Sequence, residues 1–127
     1  MMSKILIVDD EPELVKAIEV RLRASGYHVE VAYDGEEGVK KAREFNPDLI
    51  ILDIVMPRLN GYEVCKILKS NADTRNIPIL ILTASQQREM EKKCLALGAN
   101  IALMKPFETE ELLLLVNQLL ENQGGEN

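Results

Sequence analysis

Five short apolar runs punctuate the chain: Ile5 to Val8, Val29 to Ala32, Leu49 to Leu52, Ile79 to Leu82 and Ile101 to Met104. Three of them are rich in Ile and Val and nearly continuous, which predicts strands buried on both faces, as in a parallel sheet. Val29 to Ala32 alternates around Glu30 and suits an edge strand. The last run, with its alanine and methionine, has the weakest strand propensity. Helical spacing fills the intervals. Leu14, Ala17, Ile18 and Leu22 repeat at three and four residues, with Pro12 near the entry and Gly26 past the end. Gly38, Ala42 and Phe45 mark a second helix, stopped by Asn46-Pro47. Val64, Cys65 and Leu68 mark a third, after a turn at Asn60-Gly61. Met90, Cys94 and Leu97 mark a fourth, ended by Gly98. Leu112, Leu115, Val116, Leu119 and Leu120 mark a fifth that starts near Thr109.

Strand and helix alternate from end to end, which predicts a (βα)5 chain with right-handed crossovers. Five units are too few to close a barrel. The expected fold is an open, doubly wound α/β sheet of order 2-1-3-4-5, with helices 1 and 5 on one face and helices 2, 3 and 4 on the other. A single domain is expected over residues 1–121, with residues 122–127 as a flexible C-terminal tail.

Composition narrows the class. The 127 residues are 46% hydrophobic and 28% charged, which reads as globular. Fifteen basic against twenty-one acidic residues give a net charge of −6, which disfavours direct binding to nucleic acid or to an anionic membrane surface. No apolar run approaches the roughly 20 residues needed to span a bilayer. The first run is too short for a signal peptide and ends in two acids, so a cytoplasmic location is expected. Cys65 and Cys94 fall on apolar helical positions without metal-ligand spacing and read as core residues. His28 reads as a solvent-facing histidine, and Lys40-Lys41 and Lys92-Lys93 as solvated faces.

The polar residues at the strand ends carry the chemistry. In an open α/β sheet, ligands gather beyond the carboxyl ends of the strands, at the switch in strand order. Asp9 and Asp10 follow strand 1, Asp53 ends strand 3, Thr83 ends strand 4, and Lys105-Pro106 ends strand 5. Three converging carboxylates repel one another unless a cation or proton intervenes. Mg²⁺, held by a few carboxylates, waters and a phosphate oxygen, resolves that repulsion. With one ammonium and one hydroxyl beside it, the set is equipment for phosphoryl transfer.

The stretches Ile7-Val8-Asp9-Asp10-Glu11, Leu52-Asp53-Ile54-Val55-Met56-Pro57, Leu82-Thr83-Ala84 and Lys105-Pro106-Phe107 resemble the receiver domain of two-component response regulators. The resemblance runs from Lys4 to about Leu120 and implies the CheY-like, flavodoxin-like fold. It implies that Asp53 takes a phosphoryl group from a phosphohistidine on a sensor histidine kinase or histidine phosphotransfer protein. Asp10, Asp53 and the Val55 carbonyl would ligate Mg²⁺, with Asp9 acting chiefly through water. The Thr83 hydroxyl, the Ala84 amide and Lys105 would hold the phosphoryl oxygens. Pro106 would follow the lysine through a cis bond that aims it inward. The protein would catalyse its own phosphorylation and dephosphorylation without being a conventional enzyme, and would signal by contact with a downstream target protein.

Several positions depart from the family pattern. Ala102 stands where a Tyr or Phe usually couples to the threonine, and Asn100 and Ile101 stand where acids are frequent. Leu114 and Leu115 make helix 5 apolar beyond its own stripe. This predicts a docking or homodimer face on helix 4, strand 5 and helix 5, or else leucines packed under Phe107 and the chain end. Val55 cannot orient a hydrolytic water, which predicts a long-lived phosphoryl group. A phosphorylation-independent interaction module, with Ala102 as a sign of a decayed switch, is the alternative reading. A phosphatase would carry a second acid in place of Val55, and a flavin module would carry a phosphate-binding loop instead of the acids. The chain reads either as a free regulator or as one piece of a longer product.

Overall fold

The computed structural model describes residues 2–124. The elements follow one another as β1 (Lys4–Val8), α1 (Pro12–Ala24), β2 (His28–Ala32), α2 (Gly35–Phe45), β3 (Leu49–Asp53), α3 (Gly61–Ser70), β4 (Ile79–Thr83), α4 (Arg88–Leu97), β5 (Ile101–Met104) and α5 (Thr109–Gly124). The strands form one parallel sheet of order β2-β1-β3-β4-β5. α5 continues to Gly124, past the boundary expected after Glu121. Asn122 and Gln123 offer nothing that breaks a helix, and residues 125–127 of the expected tail lie outside the described residues.

Alternation along the strands splits the core in two. Leu6, Val8, Ile50, Leu52, Ile79 and Ile81 point to one face and pack with residues of α2, α3 and α4. Ile5, Ile7, Leu49, Ile51, Leu80 and Leu82 point to the other and pack with α1 and α5. Both faces of the central strands are therefore dry, which explains their unbroken apolar runs. β2 is an edge, and its Glu30 is only half-buried. Cys65 and Cys94 are free thiols buried where α3 meets α4. Leu114 points outward at 63% exposure, whereas Leu115 packs partly against the α1/α5 core. Among the described residues, no helix is long and apolar enough to cross a membrane.

Two local devices position the loop after β3. Asn60 caps α3 by accepting a hydrogen bond from the Glu63 N–H, and the Glu63 carboxylate accepts one from the Asn60 N–H in return. Gly61 then lets the helix approach the end of β3. A Cβ there would lie 2.3 Å from the Ile54 Cα and 2.5 Å from the Asp53 carbonyl oxygen.

Candidate functional site

β1, β3, β4 and β5 all end at the same edge of the sheet, and each delivers polar groups there. Asp9, Asp10 and Asp53 come together so that one carboxylate oxygen from each lies within 4.8 Å of the others. A cleft of about 310 Å³ opens over them, lined by Asp10, Asp53, Val55, Thr83, Ala84 and Lys105. Pro106 lies outside this cleft, in a neighbouring hollow with Leu14 and Phe107. The Lys105–Pro106 peptide is cis. A larger hollow, about 400 Å³, opens at the opposite end of the strands near Pro47, Asp73 and Leu120. Position rather than size singles out the carboxyl-end cleft, because chemistry on open α/β sheets gathers there.

The carboxylates differ in their surroundings. Asp9 is fully buried; its Oδ1 accepts a hydrogen bond from the Glu11 N–H at 2.9 Å. Its Oδ2 has no hydrogen-bond partner and faces the Lys105 Nζ at 3.3 Å. Asp53 is 3% exposed, with Oδ1 accepting from the Val55 N–H at 3.1 Å and Oδ2 at 3.4 Å from Lys105 Nζ. Asp10, by contrast, is exposed at the cleft. Burial first, then the Asp9 charge, push the Asp53 carboxyl up to about 6 against the pull of Val55 and Lys105. Burial also raises Asp9, partly offset by the Glu11 N–H and by Lys105. For Lys105, burial works against the charge, yet the hydrogen bond to Glu11 and the Asp53 and Asp9 charges outweigh it and raise its pKa. The cluster is thus an anionic pocket with one ammonium, short of positive charge.

Such a pocket fits a hard dication. Its donors are all oxygens, and the buried Asp9 Oδ2 is an acceptor without a donor. Thr83, 2% exposed, brings a hydroxyl to the cleft wall, and Ala84 follows it at the start of the turn. Every residue expected on the cleft lies on it or directly beneath it, apart from Pro106. Three further side chains join them. Gln86 and Gln87, in the short 3-10 turn before α4, line the cleft with amides. Glu11 also lines it and takes a hydrogen bond from Lys105 Nζ at 2.5 Å. Its place in the Asp9-Asp10-Glu11 run was the available signal, whereas nothing in the spacing marks the glutamines.

The profile of the response regulator receiver domain family matches residues 5–117. Response regulator ArlR of Staphylococcus saprophyticus is 40% identical over 126 residues, which cover 99% of this chain and 56% of that protein. The chain spans about half the length of the curated relatives it matches. A CheY-like receiver domain protein from Methanospirillum hungatei superposes with a TM-score of 0.93 at 27% identity, covering 100% of both chains. The receiver domain of a sensor histidine kinase from Pseudomonas aeruginosa superposes with a TM-score of 0.85 at 32% identity, covering 94% of this chain and 98% of that one. It was solved with a magnesium ion coordinated in the active site cleft.

Proposed function

Because the chain belongs to the response regulator receiver domain family of two-component systems, we propose that it is a phosphorylation-dependent switch with Asp53 as its phosphoryl acceptor. The observation that carries this reading is the convergence of three carboxylates, Thr83 and Lys105 from four strand ends in one cleft. The donor is a phosphohistidine on a sensor histidine kinase or a histidine phosphotransfer protein. As the phosphorus–nitrogen bond of the donor breaks, a phosphorus–oxygen bond to an Asp53 carboxylate oxygen forms, and the imidazole leaves. Water later cleaves that phosphorus–oxygen bond, which returns the carboxylate and releases inorganic phosphate. This is self-modification without turnover of an independent substrate.

Positioning and charge neutralisation supply the catalysis. Lys105 attracts the phosphoryl oxygens, and the Thr83 hydroxyl and the Ala84 amide donate hydrogen bonds to them. Asp10, Asp53 and the Val55 carbonyl would hold Mg²⁺, with Asp9 placed to act through a bound water; when bound, the ion would supply positive charge to offset the negative charge of the phosphoryl oxygens. Val55, 47% exposed at the cleft, offers water neither an amide nor an acid, so hydrolysis is slow. The output is contact with a downstream protein.

A second reading has one observation in its favour. Ala102, on β5 beside Ile81, leaves no aromatic ring to follow Thr83 toward the phosphate, as a phosphorylation-independent module would have it. Intact mass after incubation with Mg²⁺ and a small-molecule phosphodonor separates the two. One added phosphoryl group is expected, absent in Asp53→Asn and absent without Mg²⁺. No adduct, even with beryllofluoride as a trapped mimic, sinks the switch and leaves the module.

A further inference from the structure

Lys105 is pulled three ways. Its Nζ donates a hydrogen bond to Glu11 Oε1 at 2.5 Å, while Asp9 Oδ2 and Asp53 Oδ2 stand 3.3 and 3.4 Å away. The Glu11 contact is the shortest, and it adds a charge-assisted hydrogen bond to the Coulomb attraction. Glu11 sits at the N-cap of α1, yet its side chain caps no helix N–H. The carboxylate meets the lysine instead, at the cleft. Its backbone N–H meanwhile donates to Asp9 Oδ1. One residue therefore holds both the ammonium and the deepest carboxylate.

We infer that Glu11 is a positioning residue that parks the Lys105 ammonium at the rim of the cleft while Asp53 is unmodified. It must release the lysine when a phosphoryl-like anion enters. This inference rests on the reading of Asp53 as acceptor. In the resting chain the parked ammonium compensates Asp53 only partly, from 3.4 Å. In the occupied chain the same ammonium serves the anion, and the Glu11 contact is lost. Glu11 thus weights the equilibrium toward the unmodified form. Its side chain is 58% exposed, so solvent screens the pair and the effect is a factor of a few rather than of orders of magnitude.

The experiment titrates beryllofluoride into the full chain with Mg²⁺ present, comparing wild type, Glu11→Gln and Glu13→Gln. Glu11→Gln removes the charge and keeps both size and backbone hydrogen bond. Glu13→Gln removes a charge from the first turn of the same helix without touching Lys105. A second readout is the NMR signal of the Lys105 ε-methylene in the metal-free chain. Glu11→Gln is expected to bind beryllofluoride roughly two- to fivefold more tightly and to move the Lys105 signal, whereas Glu13→Gln does neither. Tightening no greater than in Glu13→Gln, or tightening with the Lys105 signal unmoved, overturns the parking role alone. Wild-type chain that binds no beryllofluoride overturns the Asp53 reading, and the parking role with it.

Discussion

Asp53 shows how the site conflicts with the fold that carries it. Its carboxyl is pushed up to about 6 from an ordinary 3.8, chiefly by burial and by Asp9. Between those two values the folded chain binds more protons at Asp53 than the unfolded chain does. The stability of the metal-free protein therefore falls as pH rises through that window, and stays lower above it. Asp53→Asn removes the penalised charge. Urea denaturation in a chelator should find the variant more stable than wild type at pH 7.5, by on the order of 1–2 kcal/mol. The gain should shrink toward zero near pH 4. Added Mg²⁺ should raise the stability of wild type and change the variant little, because an ion bound only to the folded state stabilises that state. A gain independent of pH would show that desolvation of Asp53 is not its source.

At the scale of elements, the close approach of α3 to the end of β3 fixes the loop that carries Val55. Gly61→Ala would set a Cβ against the Ile54 Cα and the Asp53 carbonyl oxygen, and backbone atoms cannot yield as a flexible side-chain tip does. A loss of about 1–3 kcal/mol in denaturant unfolding is expected, together with slower phosphoryl uptake by intact mass, since Asp53 lies at the point of contact. Much of this architecture was legible in the chain. β1, β3 and β4 showed as unbroken Ile, Leu and Val runs because helices cover both faces of the sheet. The alternation around Glu30 marked β2 as an edge. Polar groups at four strand ends marked the cleft. What stayed hidden depends on side chains meeting across long intervals. Asn100, read only as a missing acid, bonds through its Oδ1 to the Ile79 N–H at 2.9 Å, while its own N–H donates to the Ile79 carbonyl. The hydrogen bond from Lys105 to Glu11 joins residues 94 positions apart, beyond any local periodicity. The Gln86-Gln87 turn carries no hydrophobic pattern at all.

At the scale of the whole molecule, exposed apolar side chains occur at several places, Met2, Val20, Tyr33 and Val55 among them, and three more fall on the consecutive elements α4, β5 and α5. Leu95 on α4, Met104 on β5 and Leu114 on α5 are 38%, 44% and 63% exposed, whereas the other faces of these elements supply the two cores. Outward apolar groups on adjoining elements suit a protein partner, and a second copy of the chain is the simplest one. Leu114→Glu should leave thermal stability nearly unchanged and abolish association of the beryllofluoride-bound protein in sedimentation velocity; a wild-type chain that sediments as a monomer in both states removes the dimer. The sheet order has a further consequence, in time rather than in space. Of the five strands β1 is synthesised before the other four, yet it lies inside the sheet between β2 and β3, and its pairing with β3 joins Ile5 to Leu49. Parallel pairing across such an interval is slow to form, so during synthesis Asp9 and Asp10 emerge long before Asp53 can join them. The three acids thus meet only when β3 docks beside β1, and that same step joins the apolar residues of the two strands in both cores, so the burial that opposes their repulsion arrives together with it.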